Sequence, residues 1–169
     1  MSKALYFDYQ TTTPVDPLVL AAMLPYFSET FGNPASKMHA FGRAANKAVE
    51  LARQQVSTLI GAKPNEIVFT SGATEGNNHC IKSSIGKKKL TDCHIVTTAI
   101  EHSSVIEPCH YLEALGASVT YVKPDGHGLV AAENILAAIT PKTNFVSVMY
   151  ANNEIGTIQP IAVLGKELR

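Results

Sequence analysis

The stretch FTSGATEGNN, residues 69–78, has the composition of a turn that binds an anion. Ser71 and the glycine after it permit a tight turn, and Ala73, Thr74 and Glu75 would begin a helix. N–H groups at the start of a helix have no partner inside the helix and attract negative charge, and the Thr74 hydroxyl adds a further donor. An ordinary N-cap at Ser71 or Thr74 that binds no ligand has the same pattern. The spacing alone leaves both interpretations open.

A histidine and two adjacent amides follow two other runs that have the composition of strands. His102 comes after residues 94–98, and Asn152 and Asn153 come after residues 144–149. Ligands of open α/β sheets bind outside the carboxyl ends of the strands. A histidine there can stack on a flat ligand or move a proton, and an amide can donate to a ligand oxygen. A surface histidine and turn-forming amides are the alternatives.

These side chains must be positioned by alternating strands and helices. Runs rich in β-branched residues predict four strands, at Glu66–Thr70, His94–Thr98, Ser118–Val122 and Asn144–Met149. Apolar spacing predicts helices over Phe41–Ile60, about Ser103–Gly116 and Ala131–Ile139, and the start of another at Ile161. This order predicts an α/β protein with right-handed crossovers and a mostly parallel sheet covered on both faces. Because no linker interrupts residues 1–169, we predict a single domain.

Composition argues against several functional classes. The 169 residues are 46% hydrophobic, enough for a globular core, and 14 Lys and Arg balance 14 Asp and Glu. We therefore expect neither nucleic acid nor an anionic membrane as a partner. No apolar run approaches the roughly 18 residues of a membrane span. Three cysteines without regular spacing are typical of a reducing compartment, and we predict a cytoplasmic protein.

Two other motifs could be mistaken for ligand sites. Gly126-His127-Gly128 with Ala131 matches a dinucleotide-binding pattern, but it begins four residues after its strand, so a turn is the better interpretation. The pairs Cys93-His94 and Cys109-His110 could suggest zinc. Adjacent side chains point apart when one of them lies in a strand, so we predict no metal site.

Together, the motifs resemble the cysteine desulfurases of the NifS and IscS type, in the class V branch of the fold-type I pyridoxal-phosphate enzymes. The matching segments are FDYQTTTPVDP, FGNPAS with His39 behind it, EIVFTSGATE with Asn78, Glu101-His102, and VSVMYANNEIGTIQP. They occur in family order and at family spacing over essentially the whole chain. The resemblance implies an incomplete three-layer αβα large domain of the pyridoxal-phosphate transferases, with an N-terminal segment at about 1–15 and the domain's first part at about 16–169.

The resemblance also implies a cofactor, pyridoxal 5'-phosphate, and a role for each matching residue. Ala73 and Thr74 match the turn that binds the cofactor phosphate. His102 matches the histidine that stacks on the pyridine ring and assists proton transfer. Asn153 matches the asparagine that hydrogen-bonds the phenolic oxygen of the cofactor.

Several family features have no counterpart in these residues. The lysine that holds the cofactor covalently, the aspartate that pairs with the pyridine nitrogen, and the mobile nucleophilic cysteine all lie in later segments of the family. Cys80, Cys93 and Cys109 match none of the surroundings of that cysteine, and we expect them to be buried and inert. Gly76 and the polar pair His79-Cys80 depart from the family pattern and could loosen their helix. The strand that pairs with Glu66–Thr70 in the family is also missing.

The function implied is the N-terminal part of an enzyme that converts L-cysteine to alanine and transfers its sulfur. We expect the 169 residues to be inactive alone and to need a complementing C-terminal chain. By resemblance, a homodimer and iron–sulfur scaffold proteins are the expected partners. Two alternatives remain open: a non-catalytic homologue that binds or dimerises with the full enzyme or its assembly partners, and a selenocysteine lyase-like enzyme of the same class.

Overall fold

A computed structural model of the protein describes residues 4–168. The chain divides into two compact units, one ending at Phe69 and the other beginning at Thr70. The prediction of one domain over residues 1–169 stays a prediction, and each unit is described by itself. None of the helices between residues 4 and 168 is long and apolar enough to cross a membrane.

The first unit is helical. Its helices are α1 (Pro17–Met23), α2 (Pro25–Ser28) and α3 (Ala40–Ile60), followed by a 3-10 turn at Pro64–Glu66. Asp16 caps α1 by accepting from two backbone N–H groups of its first turn, and proline occupies the first position of both α1 and α2. Apolar spacing predicts neither short helix, although the Asp-Pro pair is a helix-start signal. The helix predicted over Phe41–Ile60 is confirmed as α3. Gly61 ends it in the left-handed conformation (φ 69°), which favours glycine.

The second unit is an α/β structure. Its elements are α4 (Ala73–Ser83), a 3-10 turn (Leu90–Asp92), β1 (His94–Thr98), α5 (Ser103–Ala114), β2 (Ser118–Val122), α6 (Ala132–Ala137), β3 (Thr143–Ser147) and α7 (Ile161–Glu167). The three strands form a parallel sheet in the order β2-β1-β3. All three carboxyl ends therefore meet at one edge.

Helices cover both faces of this sheet. Ile95 in β1 packs with buried residues of α4 and α5, including Ile81 and Cys109. The next residue, Val96, points to the opposite face and packs with Ile135 of α6 and Leu164 of α7. The predicted αβα layering and parallel sheet are confirmed.

Two predicted strands differ from the structure. Residues 67–70 form no strand after the 3-10 turn, because a strand requires a hydrogen-bonded neighbour and composition alone does not supply one. The last strand ends at Ser147 rather than Met149. The N–H of Met149 donates to the side chain of Glu101 instead of to a neighbouring strand.

The glycine motif at 126–128 is a turn, as predicted. Asp125 accepts hydrogen bonds from the N–H groups of His127 and Leu129, and Gly128 has a positive φ of 79°. Buried Gln159 accepts from the N–H of Val130 and donates to the carbonyl of Gly128. This turn is thereby joined to the segment that follows β3.

Candidate functional site

An open cleft of about 400 Å³ lies at the carboxyl edge of the sheet. Two loops line it, one after β1 and one after β3. The lining residues are Ile100, Glu101, His102, Ser103, Asn152, Asn153, Glu154 and Ile155. The structure therefore brings together His102 and Asn153, which are 51 positions apart in the sequence.

Glu101 joins the two loops. Its carboxylate accepts from the backbone N–H of Met149 at 2.6 Å and from the Thr98 hydroxyl at 3.0 Å. Burial raises the pKa of Glu101 above its ordinary value, and these two hydrogen bonds oppose the rise because they stabilise the ionised form. The sequence places Glu101 beside His102 but does not predict this connection to β3.

The two asparagines after β3 have different surroundings. Asn152 donates to the carbonyl of Ile100 at 3.0 Å and accepts from the N–H groups of Glu154 and Ile155 at 2.9 and 3.0 Å. Its amide is thus used to build the loop. Asn153 is exposed on the cleft, where its amide can hydrogen-bond a ligand.

His102 is the N-cap of α5. Its Nδ1 atom accepts from the backbone N–H of Ser104 at 3.1 Å and lies 2.8 Å from the Ser104 hydroxyl oxygen. The ring is exposed and lines the cleft. Because Nδ1 is used within the protein, Nε2 and the ring face remain for a ligand.

The anion-binding turn of the sequence forms the start of α4. Gly72 is the N-cap and has no side chain to offer the helix, so the N–H groups of Ala73 and Thr74 are not capped by it. The carboxylate of Glu75 accepts from the N–H of Ser71 at 2.6 Å, which lowers the pKa of Glu75. Ala73 and Thr74 are exposed and supply the donors an anion would use.

Thr74 lies in a second pocket, of about 320 Å³, between α4 and α5. Ser103 lines both this pocket and the cleft that contains His102 and Asn153. Ala73 lines neither of the two. The structure thus brings His102 and Asn153 into one cleft and Thr74 into the pocket beside it.

The family model described as aminotransferase class-V matches residues 5–169. The chain belongs to the aminotransferase class-V family.

Cysteine desulfurases of this family are closely similar to the chain. Cysteine desulfurase IscS of Rickettsia akari is 51% identical over 168 residues, which are 98% of the chain and 40% of that relative. A solved structure titled NifS-like protein superposes with a TM-score of 0.88 at 41% identity, covering 96% of this chain and 44% of that one. The structure titled SspA in complex with cysteine superposes with a TM-score of 0.90 at 42% identity, covering 95% of this chain and 46% of that one. The chain therefore spans about two-fifths of that relative and less than half of each structure.

Class-V enzymes depend on pyridoxal 5'-phosphate, and the donor chemistry of the site fits this group. A phosphate fits the free N–H groups and the hydroxyl at the start of α4. A flat ring fits an exposed imidazole in a cleft that also carries an amide. The roles of Ala73, Thr74, His102 and Asn153 toward the cofactor are proposals, developed below.

Three supporting residues are not predicted as site residues from the sequence: Glu101, Ser104 and Asn77. Asn152 is predicted only as one of two adjacent amides that could either form a turn or donate to a ligand, and the structure uses it to build the loop. Glu101 stands directly before His102, which is the one signal that the sequence offers for it. Ser104 and Asn77 hydrogen-bond each other at 2.9 Å across α5 and α4. Since 27 positions separate them, no local pattern indicates their contact.

The cysteines agree only in part with their prediction. Cys93 and Cys109 are buried, as expected, but Cys80 is exposed on α4. Burial is the main cause that raises the pKa of the Cys109 thiol to about 11, and the nearby carboxylates of Glu113 and Glu101 add to it. Such a thiol is a poor nucleophile at neutral pH.

The possible zinc ligands are separated by the fold. His94 contacts the hydroxyl oxygens of Thr143 and Thr120 at 2.7 and 2.9 Å, one from each ring nitrogen. Among residues 4–168, no three His, Cys, Asp or Glu side chains are grouped as metal ligands. His94 instead connects all three strands at the end of the sheet opposite the cleft.

Proposed function

We propose that this chain is the cofactor-positioning part of a pyridoxal-phosphate-dependent cysteine desulfurase. The observation that carries the proposal is the grouping of His102 and Asn153 on one cleft, with Thr74 in the pocket that shares Ser103. Three segments far apart in the sequence supply these residues. Each offers the chemistry that a different part of a flat phosphorylated ligand needs.

In this proposal, each residue binds one part of the cofactor. Ala73 and Thr74 hold its phosphate through backbone N–H groups, the Thr74 hydroxyl and the positive end of the α4 dipole. His102 lies against the ring and offers Nε2, the ring nitrogen that is not hydrogen-bonded within the protein, toward the ligand. The amide of Asn153 donates to the phenolic oxygen. Glu101 and Asn152 keep the two loops at the spacing that this requires.

The cofactor, when bound, withdraws electrons from the amino-acid substrate and so weakens the bonds next to its α-carbon. L-Cysteine is the proposed substrate, with alanine and transferred sulfur as the products. The names of the similar proteins support this choice, because several are cysteine desulfurases and the SspA structure contains cysteine.

We further propose that the 169 residues do not catalyse this reaction alone. Sulfur transfer requires a reactive thiolate at the cofactor. Cys93 and Cys109 are buried within the second unit, and the exposed Cys80 on α4 does not line the cleft of His102 and Asn153. The lysine and cysteine segments of the family would come from further residues or from a complementing chain. A homodimer, iron–sulfur scaffold partners and a cytoplasmic location are parts of the same proposal.

Cofactor binding can be tested separately from catalysis. The chain is titrated with pyridoxal 5'-phosphate and with pyridoxal, which lacks the phosphate, while the absorbance of the ring is followed. We expect the phosphorylated form to bind more tightly. Thr74→Val should weaken its binding about tenfold, because a hydrogen bond to a charged oxygen is lost. Thr91→Val, an exposed threonine before β1, is the matched control. Equal binding of the two vitamers would refute the phosphate site.

Catalysis is tested by sulfide release from L-cysteine. We expect none from the 169 residues, and release when a polypeptide spanning the remainder of a related desulfurase is added. Borohydride reduction followed by peptide mapping should find no single lysine that the cofactor modifies preferentially. One specifically modified lysine, or sulfide release by the chain alone, would overturn the proposed inactivity.

A further inference from the structure

A series of hydrogen bonds reaches His102 from the neighbouring helix. The side-chain amide of Asn77, on α4, donates from Nδ2 to the Ser104 hydroxyl oxygen at 2.9 Å. That oxygen lies 2.8 Å from Nδ1 of His102. The backbone N–H of Ser104 also donates to Nδ1, at 3.1 Å. Ser104 is buried and Asn77 is half-buried, so the series is shielded from competing water.

The backbone N–H of Ser104 sets the direction of hydrogen bonding at Nδ1. A side-chain NH2 group and a backbone N–H donate and cannot accept. Nδ1 accepts from that N–H and so has no hydrogen to give the Ser104 hydroxyl, which therefore donates to Nδ1 while its oxygen accepts from Asn77. Two donors then face Nδ1, which must carry a lone pair, and in the neutral ring the proton lies on Nε2.

We propose that Asn77 and Ser104 are positioning residues that hold neutral His102 as its Nε2–H tautomer and orient the ring in the cleft. The inference deepens the proposed function, since His102 is one of its residues. It rests on contacts within the second unit, and its test requires no cofactor.

This tautomer restricts what His102 does in the cleft. A neutral ring with its proton on Nε2 has no lone pair there, so toward a ligand it is a hydrogen-bond donor and a stacking surface. A proton taken up by the ring must bind Nδ1, where it displaces the donated hydrogen bonds of Ser104. His102 therefore stabilises negative charge on a ligand and does not act as a general base through Nε2.

Nitrogen NMR of the histidine rings measures the tautomer directly. Spectra are recorded at alkaline pH, where the rings are neutral, and the His102 signals are identified by their loss in His102→Gln. We expect Nδ1 to resonate as an unprotonated ring nitrogen and Nε2 as a protonated one. In Asn77→Asp the new carboxylate accepts from Ser104, so the hydroxyl no longer donates to Nδ1. The share of the Nδ1–H form should rise about fivefold, the factor expected for one ordinary hydrogen bond.

Two further variants separate the tautomer from general effects of mutation. Ser104→Ala removes the hydroxyl but keeps the backbone N–H, and should shift the ratio in the same direction as Asn77→Asp. Asn78→Asp is the control, because it adds the same charge at the next residue. The Asn78 amide donates to the carbonyl of Thr74 and not to Ser104, so this variant should leave the ratio of the two His102 tautomers unchanged. A protonated Nδ1 in the unmodified chain, or equal shifts in Asn77→Asp and Asn78→Asp, would overturn the proposal. Failure of pyridoxal phosphate to bind would refute the proposed function but leave this result unaffected.

Discussion

Replacing Glu101 by alanine tests how the two loops of the cleft are held together. The substitution removes the acceptor for the Met149 N–H and for the hydroxyl of Thr98, which is fully buried. A polar group left unsatisfied costs about 1–3 kcal/mol. Water can enter from the open cleft, so we take the lower end for each group and expect a local loss of about 2 kcal/mol.

Amide hydrogen exchange at Met149 is the suitable assay, because it reports local opening in a chain of two units. A loss of about 2 kcal/mol corresponds to about 30-fold faster exchange. Glu101→Gln keeps an acceptor oxygen and should change the rate far less. Glu154→Ala is the matched control, since Glu154 is an exposed acid lining the same cleft. Unchanged exchange in Glu101→Ala, or equal effects of alanine and glutamine, would refute the argument that the acceptor is what matters.

The pH dependence of stability gives an independent check on Glu101. Burial raises its pKa above the ordinary 4.5, so the folded protein binds this proton more tightly than the unfolded chain does. The resulting contribution is fully present below about pH 4.5 and is lost as pH rises through the folded-state pKa. The wild-type chain should therefore gain stability relative to Glu101→Gln on acidification through that window. A constant difference between them across the window would contradict the raised pKa.

Three shorter predictions concern other parts of the chain. Arg53 donates to the carbonyl of Ile67, and its guanidinium carbon lies 5.0 Å from the ring centre of Phe69. Arg53→Lys should lower the local stability of this segment by about 1 kcal/mol and speed chymotrypsin cleavage after Phe69. Iodoacetamide should modify exposed Cys80 and leave Cys109 unmodified in the folded protein, as measured by peptide mass spectrometry, because Cys109 is buried and its pKa is raised to about 11. Gln159→Glu keeps the shape of this buried side chain but removes the NH2 group that donates to the carbonyl of Gly128. It should lower the free energy of unfolding, measured in urea, by about 2 kcal/mol.

The sequence predicts much of the second unit because its signals are local. Two strands, at 94–98 and 118–122, have the predicted bounds. Both are rich in the β-branched residues that favour strands, and the fully buried one, at 94–98, is the central strand of the sheet. Residues 66–70 have a similar composition but form no strand, since pairing depends on a partner elsewhere in the fold. Composition therefore indicates that a segment can pair, and not that it does.

The candidate site was predictable in position but not in internal detail. Placing His102 and Asn153 at the carboxyl edge required only the order of strands and helices. Which of two adjacent amides builds the loop cannot be inferred from the pair Asn152-Asn153, because both can form turns or donate to ligands. The bonds from Asn77 to Ser104 and on to His102 depend on how α4 packs against α5, which the sequence does not encode locally.

The cleft repeats one arrangement in both of its loops. In each, a residue whose side chain is hydrogen-bonded within the protein precedes a residue exposed on the cleft: Glu101 before His102, and Asn152 before Asn153. The connections are also reciprocal, because Glu101 accepts from the segment after β3 while Asn152 donates to the carbonyl of Ile100 after β1. The two loops should therefore respond as one structure, and substitutions at Glu101 and Asn152 should be non-additive. We expect ligand binding to weaken in either variant through displacement of the exposed neighbour, since both supporting side chains are hydrogen-bonded within the protein.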